Sequence, residues 1–316
     1  MRKAALDTVH ELARADSRVI FIGSDLTAGT LKDMKTEFPD RFFMEGVSEA
    51  HIIGTAAGLA LSGKIVYVNT IGTFLTRRCF EQLVDDLCLH SAKVRLIANG
   101  GGLVYAPLGP THLAIEDIAI LRAIPNMSVV VPCDAQEMRR LVLQTLDWPN
   151  PIYFRVAKGG EPSVSRADLP CTFGKAIRLR DGEDVLLITT GVTLHEALAA
   201  SATLEQRGIS AGIMHVHTVK PLDEKAIVEA VRSVPAIITV EEHTVVGGLG
   251  SAVAELIVES DFVQAKRLRR LGIPDVFPDR YGSQNDLMAQ FGINAEGIVR
   301  TAEDLTRRRV RLTVAQ

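Results

Sequence analysis

Short apolar runs rich in Val, Ile and Leu recur along this chain, and segments of helical character separate them. In the first half they are Arg18–Gly23, Lys64–Asn69, Val94–Ala98, Met127–Val131 and Pro151–Arg155. In the second half they are Val185–Gly191, Ser210–His217 and Ala236–Val240. Continuous apolar runs of this length mark strands buried on both faces, and strands alternating with helices build parallel sheets. The intervening helices are read at Arg2–Ala15, 48–61, Phe74–His90, Ile115–Ile124, Asp134–Leu146 (with Asp134 as N-cap), Thr193–Arg207 and Pro221–Arg232. Between the halves, Ala157–Thr172 is polar and carries Gly159, Gly160, Pro162 and Pro170, the composition of a linker. The expectation is an α/β protein of two parallel-sheet domains, 1–164 and 172–316.

The length of 316 residues suits two domains. A net charge of -3 gives no reason to expect nucleic acid or an anionic membrane. No apolar run is long enough to span a bilayer, and the N-terminal residues lack a signal-peptide core. The cysteines Cys79, Cys88, Cys133 and Cys171 have neither metal-ligand spacing nor disulfide-scaffold density. Together these point to a soluble, cytoplasmic protein with reduced thiols.

The most informative stretch is Met44–Leu61. Glu49 opens an otherwise apolar helix, Gly46 supplies a permissive turn before it, and Ser48 stands at the N-cap position. Ile52, Ile53, Ala56, Ala57 and Ala60 form a face for burial, and Gly54 and Gly58 leave room for another backbone. A carboxylate here either pairs with the free N–H groups of the first turn or is held for chemistry.

Other motifs have plainer readings. Gly247-Gly-Leu-Gly250 follows a strand and opens a helix, but Val253 breaks the dinucleotide fingerprint, so tight strand–helix packing is expected. His215 and His217 share a strand face, and a metal site would need a third ligand that the neighbouring sequence does not supply. Arg77 and Arg78 read either as a solvated helix face or, for Arg77, as an anion clamp. No G-x-S-x-G elbow exists, so a serine hydrolase is unsupported.

Taken in order, Gly46-Val-Ser-Glu49-Ala-His, Gly72-Thr-Phe74-Leu, Gly109-Pro-Thr-His112 and Leu121-Arg-Ala-Ile-Pro-Asn126 resemble the pyrimidine-binding half of transketolases. Thr73-Phe-Leu-Thr-Arg77 also looks like 1-deoxyxylulose-5-phosphate synthases. The resemblance covers nearly the whole chain and implies thiamine diphosphate as cofactor. It implies Glu49 as the carboxyl group at N1′ of the aminopyrimidine, a role suited to a short hydrogen bond in an apolar pocket. It implies Phe74 and Phe80 as aromatics at the pyrimidine and Asp25 as an aspartate near the cofactor. His112 becomes a histidine of the substrate pocket, with Arg155 and Arg77 as anion contacts for the substrate.

These families hold the diphosphate through Mg²⁺ or Ca²⁺ at a Gly-Asp-Gly motif, which this chain lacks. The resemblance therefore implies a separate N-terminal partner subunit carrying that motif and the metal, in an α2β2 assembly with β–β contact. The implied reaction transfers a two-carbon ketol unit from a ketose or ketose phosphate to an aldose. Three pocket positions depart from pentose-phosphate transketolases: Leu108 stands for an aspartate, Gly100 for a histidine and Gly29 for a phosphate-binding serine. They suggest an altered or less hydroxylated substrate. The alternatives are a deoxyxylulose phosphate synthase-like carboligase, the β subunit of a 2-oxoacid dehydrogenase, and a non-catalytic regulatory subunit.

Overall fold

Strands that are apolar on both sides need helices above and below them. The computed structural model describes residues 1–24, 29 and 31–314, with side chains up to residue 306. The first half runs α1 (Arg2–Ala15), β1 (Val19–Gly23), α2 (Lys32–Glu37), β2 (Phe42–Met44), α3 (Glu49–Leu61), β3 (Ile65–Ile71), α4 (Gly72–Thr76) and α5 (Phe80–Gln82). A π-helical turn at Leu83–Cys88 precedes β4 (Val94–Asn99), α6 (Asp117–Arg122), β5 (Ser128–Val130), α7 (Ala135–Val142) and β6 (Ile152–Val156). The second half runs β7 (Ile177–Arg180), β8 (Val185–Thr189), α8 (Thr193–Gln206), β9 (Ala211–His215), β10 (Thr218–Lys220), α9 (Glu224–Arg232) and β11 (Ala236–Thr244). It closes with α10 (Leu249–Glu259), β12 (Arg267–Ile273), α11 (Gln284–Gln290) and α12 (Ala295–Val314).

The strands form two sheets, ordered β10-β5-β6-β4-β3-β1-β2 and β12-β11-β8-β9-β7. Side-chain alternation sorts each strand between two helical layers. Val66 and Val68 of β3 pack with Ile52, Ile53 and Ala56 of α3. Ile65 and Tyr67 of the same strand pack with Leu6 and Val9 of α1 and Leu141 of α7. In the second sheet, Leu187 faces Leu194 and Ala197 of α8, while Leu186 and Ile188 face Ile227 of α9 and Val253 of α10. Each such apolar side chain contributes about 1.5–3 kcal/mol when fully buried. Asp134 caps α7 as expected, accepting from the Gln136 and Glu137 amides at 3.0 and 2.9 Å.

Several elements differ from the sequence reading. Each sheet has one antiparallel edge strand, β10 against β5 and β7 against β9. The run 210–217 does not form one strand. It stops at His215, and the chain crosses to the first sheet, where the His217 carbonyl accepts from Val131 at 2.7 Å. The β5 edge gains a partner by this crossing, which the second half supplies to the first. The expected helix Phe74–His90 is broken into α4, α5 and the π-helical turn. At the end of α4 the Thr76 hydroxyl donates to the Gly72 carbonyl at 2.9 Å, a bond that competes with helix continuation. Ser48 occupies the N-cap of α3 without capping it, because its hydroxyl donates backwards to the Glu45 carbonyl at 2.7 Å. Among the described residues Gly54 and Gly58 meet no backbone outside their helix: a Cβ on Gly54 would find Asp86 at 3.8 Å, and one on Gly58 would find nothing within 4 Å.

Candidate active site

Glu49 is the first residue of α3, and only 2% of it is exposed. Gly46, at φ +65°, turns the chain into the helix. The Glu49 carboxylate accepts a 2.6 Å hydrogen bond from Arg78 Nη1. Arg78 comes from the loop between α4 and α5, and its side chain is 48% exposed. Its guanidinium lies over the Phe74 ring, 4.4 Å from the centroid. Phe74, in the first turn of α4, presents its ring edgewise to His112, with centroids 5.3 Å apart and planes at 67°. His112 ends the Gly109-Pro-Thr-His turn, where Gly109 adopts φ +76°, and its Nδ1 lies 2.9 Å from the Thr111 hydroxyl. Glu49, Arg78, Phe74 and His112 thus form a continuous row running from a buried carboxylate to an accessible imidazole.

The remaining expected site residues fall elsewhere. Phe80 opens α5 at 39% exposure. Arg77 donates through Nε and Nη2 to Glu116, and through Nη2 to the Leu113 carbonyl at 2.8 Å. It edges a cleft of about 690 Å³ shared with Thr244, Val246 and Phe277 of the second half. Asp25 lies outside the described residues.

Arg155 is buried where the two halves meet. Its Nε donates to Asp117 at 2.9 Å, and its Nη2 donates to the carbonyls of Ala114 and Glu242 at 2.7 and 2.8 Å. The Tyr153 hydroxyl also donates to Asp117, at 2.7 Å. Burial works against the Arg155 charge, but Asp117 and Glu242 outweigh it and raise its pKa. Glu242 accepts from the Leu103 amide at 2.6 Å and from Gln284 at 2.9 Å. Burial lifts its pKa to about 7, against the pull of Arg155 and the Leu103 amide. Gly102 lies directly over this carboxylate: a Cβ there would come within 2.4 Å of Glu242 Cδ. The glycine loop after β4 is therefore clamped to the second half.

Sequence reasoning missed Arg78, Asp117 and Glu242. Phe74 stands i,i+3 from Arg77 and i,i+4 from Arg78, so spacing alone did not single Arg78 out. Asp117 and Glu242 had no signal, since their partners lie far along the chain. The loop after β11 is a packing device. Glu241 accepts from the amides of Leu249 and Gly250 at 2.7 and 2.8 Å, so the start of α10 is already satisfied by the chain's own carboxylate. A Cβ on Gly248 would sit 2.0 Å from that carboxylate.

The departures at the pocket have distinct surroundings. Gly100 has φ +78°, and the Tyr105 ring lies 2.0 Å from where its Cβ would be, so a histidine there would be strained and would have to displace Tyr105. Leu108 is half-exposed at the end of the 3-10 turn Ala106–Leu108. Among the described residues nothing lies within 4 Å of where a Cβ on Gly29 would be.

Comparison with known proteins identifies the family. Residues 1–161 match the family model of the transketolase pyrimidine-binding domain, and residues 174–298 match that of the transketolase C-terminal domain. The chain is 37% identical over 309 residues to one of the subunits of the apulose-4-phosphate transketolase of Phocaeicola vulgatus, covering 97% of both chains. It is 36% identical over 310 residues to 6-deoxy-6-sulfo-D-fructose transketolase subunit SqwH of Clostridium sp. (strain MSTE9), covering 98% of this chain and 95% of that one. A solved structure described as a split gene transketolase, inactive beta4 tetramer, superposes with a TM-score of 0.88 at 32% identity, covering 97% of this chain and 98% of that chain. The chain belongs to the transketolase family, carrying its pyrimidine-binding and C-terminal domains in the manner of the C-terminal subunits of split transketolases.

Proposed function

We propose that this chain binds the aminopyrimidine end of thiamine diphosphate, and that with a diphosphate-binding partner subunit it transfers a two-carbon ketol unit from a ketose to an aldose. The observation that carries the reading is the buried Glu49 carboxylate at the start of α3, reached from outside past the face of Phe74. These residues fit the cofactor. The Phe74 face already holds one planar group, the Arg78 guanidinium, at 4.4 Å, and that group reaches the Glu49 carboxylate at 2.6 Å. An aminopyrimidine is also planar and also places a ring nitrogen against a carboxyl group.

When bound, thiamine diphosphate supplies the carbon-bond chemistry. Glu49 holds and returns a proton at the ring nitrogen N1′. Phe74 orients the ring by stacking. Arg78 must give up its hydrogen bond to Glu49 and its place over Phe74. His112, at the accessible end of the row, is placed to hold or move a proton at the substrate's oxygen atoms. Arg77, now paired with Glu116, and Arg155, now held by Asp117 and two carbonyls, are to meet an anionic substrate by giving up some of those contacts, with Phe80 and Asp25 as further cofactor contacts. In this reading the Mg²⁺ or Ca²⁺ and the diphosphate are held by the partner subunit of an α2β2 assembly, and the lack of a Gly-Asp-Gly motif in this sequence supports the first part of it. The hydrophobic side chains Val47, Leu61, Phe80 and Leu89, exposed around α3 and the segment that follows it, support a subunit contact there. No helix among the described residues is long and apolar enough to cross a membrane. The four free thiols fit a reducing, cytoplasmic setting.

The sugar taken differs from those of pentose-phosphate metabolism. Leu108 cannot accept a hydrogen bond from a donor hydroxyl, and an unpaired buried hydroxyl costs about 1–3 kcal/mol. A histidine in place of Gly100 would be strained and would have to displace the Tyr105 ring. Two relatives named for apulose 4-phosphate and 6-deoxy-6-sulfo-D-fructose support a specialised ketose. The test is reconstitution with a Gly-Asp-Gly partner subunit, followed by a donor screen. Ketol transfer only from the two-subunit mixture is expected. The substrate reading fails if xylulose 5-phosphate and fructose 6-phosphate are used with kcat/KM of about 10⁴ M⁻¹s⁻¹ or more.

A further inference from the structure

The pair His215 and His217 lacked a third ligand in the sequence, and the fold supplies one. Glu137 reaches both from α7 in the first half, and Cys171 reaches His217 from the segment joining the halves. A carboxylate oxygen of Glu137, the Cys171 sulfur and a ring nitrogen of His217 all lie within 4.8 Å of one another. Cys133, Glu137 and His215 form a second such triad around the same carboxylate. Glu137, His215, His217 and Cys133 are fully buried, while Cys171 is partly exposed.

Hydrogen bonding separates the two triads. Glu137 already accepts from the Cys133 amide at 2.7 Å and lies 3.1 Å from His215 Nε2, while His215 Nδ1 lies 3.1 Å from the Thr189 hydroxyl. His217 has its Nδ1 against the Thr218 hydroxyl at 2.8 Å, and its Nε2 has no partner among the described residues. A buried imidazole nitrogen without a partner is costly unless something binds it.

We infer that Glu137, Cys171 and His217 form a site for a zinc-class divalent cation that ties the first domain, the connecting segment and the second domain together. Carboxylate, thiolate and imidazole are the ligand types that zinc takes, and bonds of about 2.0–2.3 Å place tetrahedral ligands roughly 3.3–3.8 Å apart. Atoms no more than 4.8 Å apart need to close by at most about 1–1.5 Å to reach that spacing. Solvent on the Cys171 side completes the coordination. Binding releases the thiol proton to water, so no redox partner is needed. His215 acts on Glu137 from behind, as outer-shell partners do.

The full chain, stripped with a chelator and dialysed, is titrated with Zn²⁺ and separately with Co²⁺. One equivalent bound per chain is expected, with a thiolate-to-cobalt charge-transfer band in the near ultraviolet. Cys171→Ser should abolish that band. His217→Gln should weaken Zn²⁺ binding by more than the roughly 10–100-fold typical of losing an outer-shell partner. Cys88→Ser, elsewhere in the core, should leave both unchanged. If the variants do not fold, alkylation of the wild-type chain mapped by mass spectrometry decides the matter, since one equivalent of Zn²⁺ should protect Cys171. Absence of stoichiometric binding, a cobalt spectrum without the thiolate band, or no protection of Cys171 overturns the proposal.

Discussion

Arg78→Ala should tighten cofactor binding in the assembled enzyme. In the free chain the guanidinium occupies both features assigned to the aminopyrimidine, the Glu49 carboxylate at 2.6 Å and the Phe74 face at 4.4 Å. Arg78 is 48% exposed while Glu49 is buried, and solvent at the guanidinium end screens the ion pair to about 1 kcal/mol. A cation over an aromatic face at an exposed site adds about 0.5–1 kcal/mol. The ring must displace both contacts, a cost of about 1–2 kcal/mol, and each 1.4 kcal/mol is about tenfold in affinity. Removing Arg78 should therefore lower the dissociation constant of thiamine diphosphate by roughly 5–30-fold. Isothermal titration of the two-subunit complex with cofactor, at fixed Mg²⁺, measures it. Arg78→Lys, which keeps charge but loses the planar fork, should fall between wild type and alanine. Weaker binding in Arg78→Ala would refute the displacement argument and make Arg78 a cofactor ligand.

Two further outcomes follow from the fold. Glu242 has its pKa raised from 4.5 to about 7, first by burial, so its contribution to stability is full below pH 4.5 and is lost as pH rises through about 7. At about 1.4 kcal/mol per unit this amounts to about 3 kcal/mol, and Glu242→Gln should flatten the fall in melting temperature between pH 5 and pH 8; an unchanged slope would remove Glu242 as its source. Gly100→Ala should destabilise the chain by about 2 kcal/mol or more in urea melts, from its left-handed φ and the contact with Tyr105, and near-neutral behaviour would mean the loop repacks freely.

The layers of the fold were legible because burial on both faces leaves continuous apolar runs, as in β1, β3 and β8. The antiparallel edges were not. β7 alternates arginines with Ile177 and Leu179, and β10 has three residues whose partner belongs to the other half of the chain. Glu49, Phe74 and His112 stood out in the sequence, and the structure gathers them into one row. Arg77 and Arg78 could not be told apart there, since adjacent residues on a helical turn point about 100° from each other and only the fold decides which meets Glu49. The buried ties Arg155–Asp117 and Leu103–Glu242 join positions 38 and 139 residues apart, a separation no local pattern encodes.

The central claim is that Glu49 moves a proton at the cofactor's ring nitrogen. Hydrogen–deuterium exchange at C2 of thiamine diphosphate, followed in the assembled two-subunit complex, tests it most directly. Glu49→Gln should slow that exchange by about 10²–10⁴-fold or more while the complex still forms and binds cofactor. An exchange rate equal to wild type would contradict the claim and leave Glu49 as the partner of Arg78 alone.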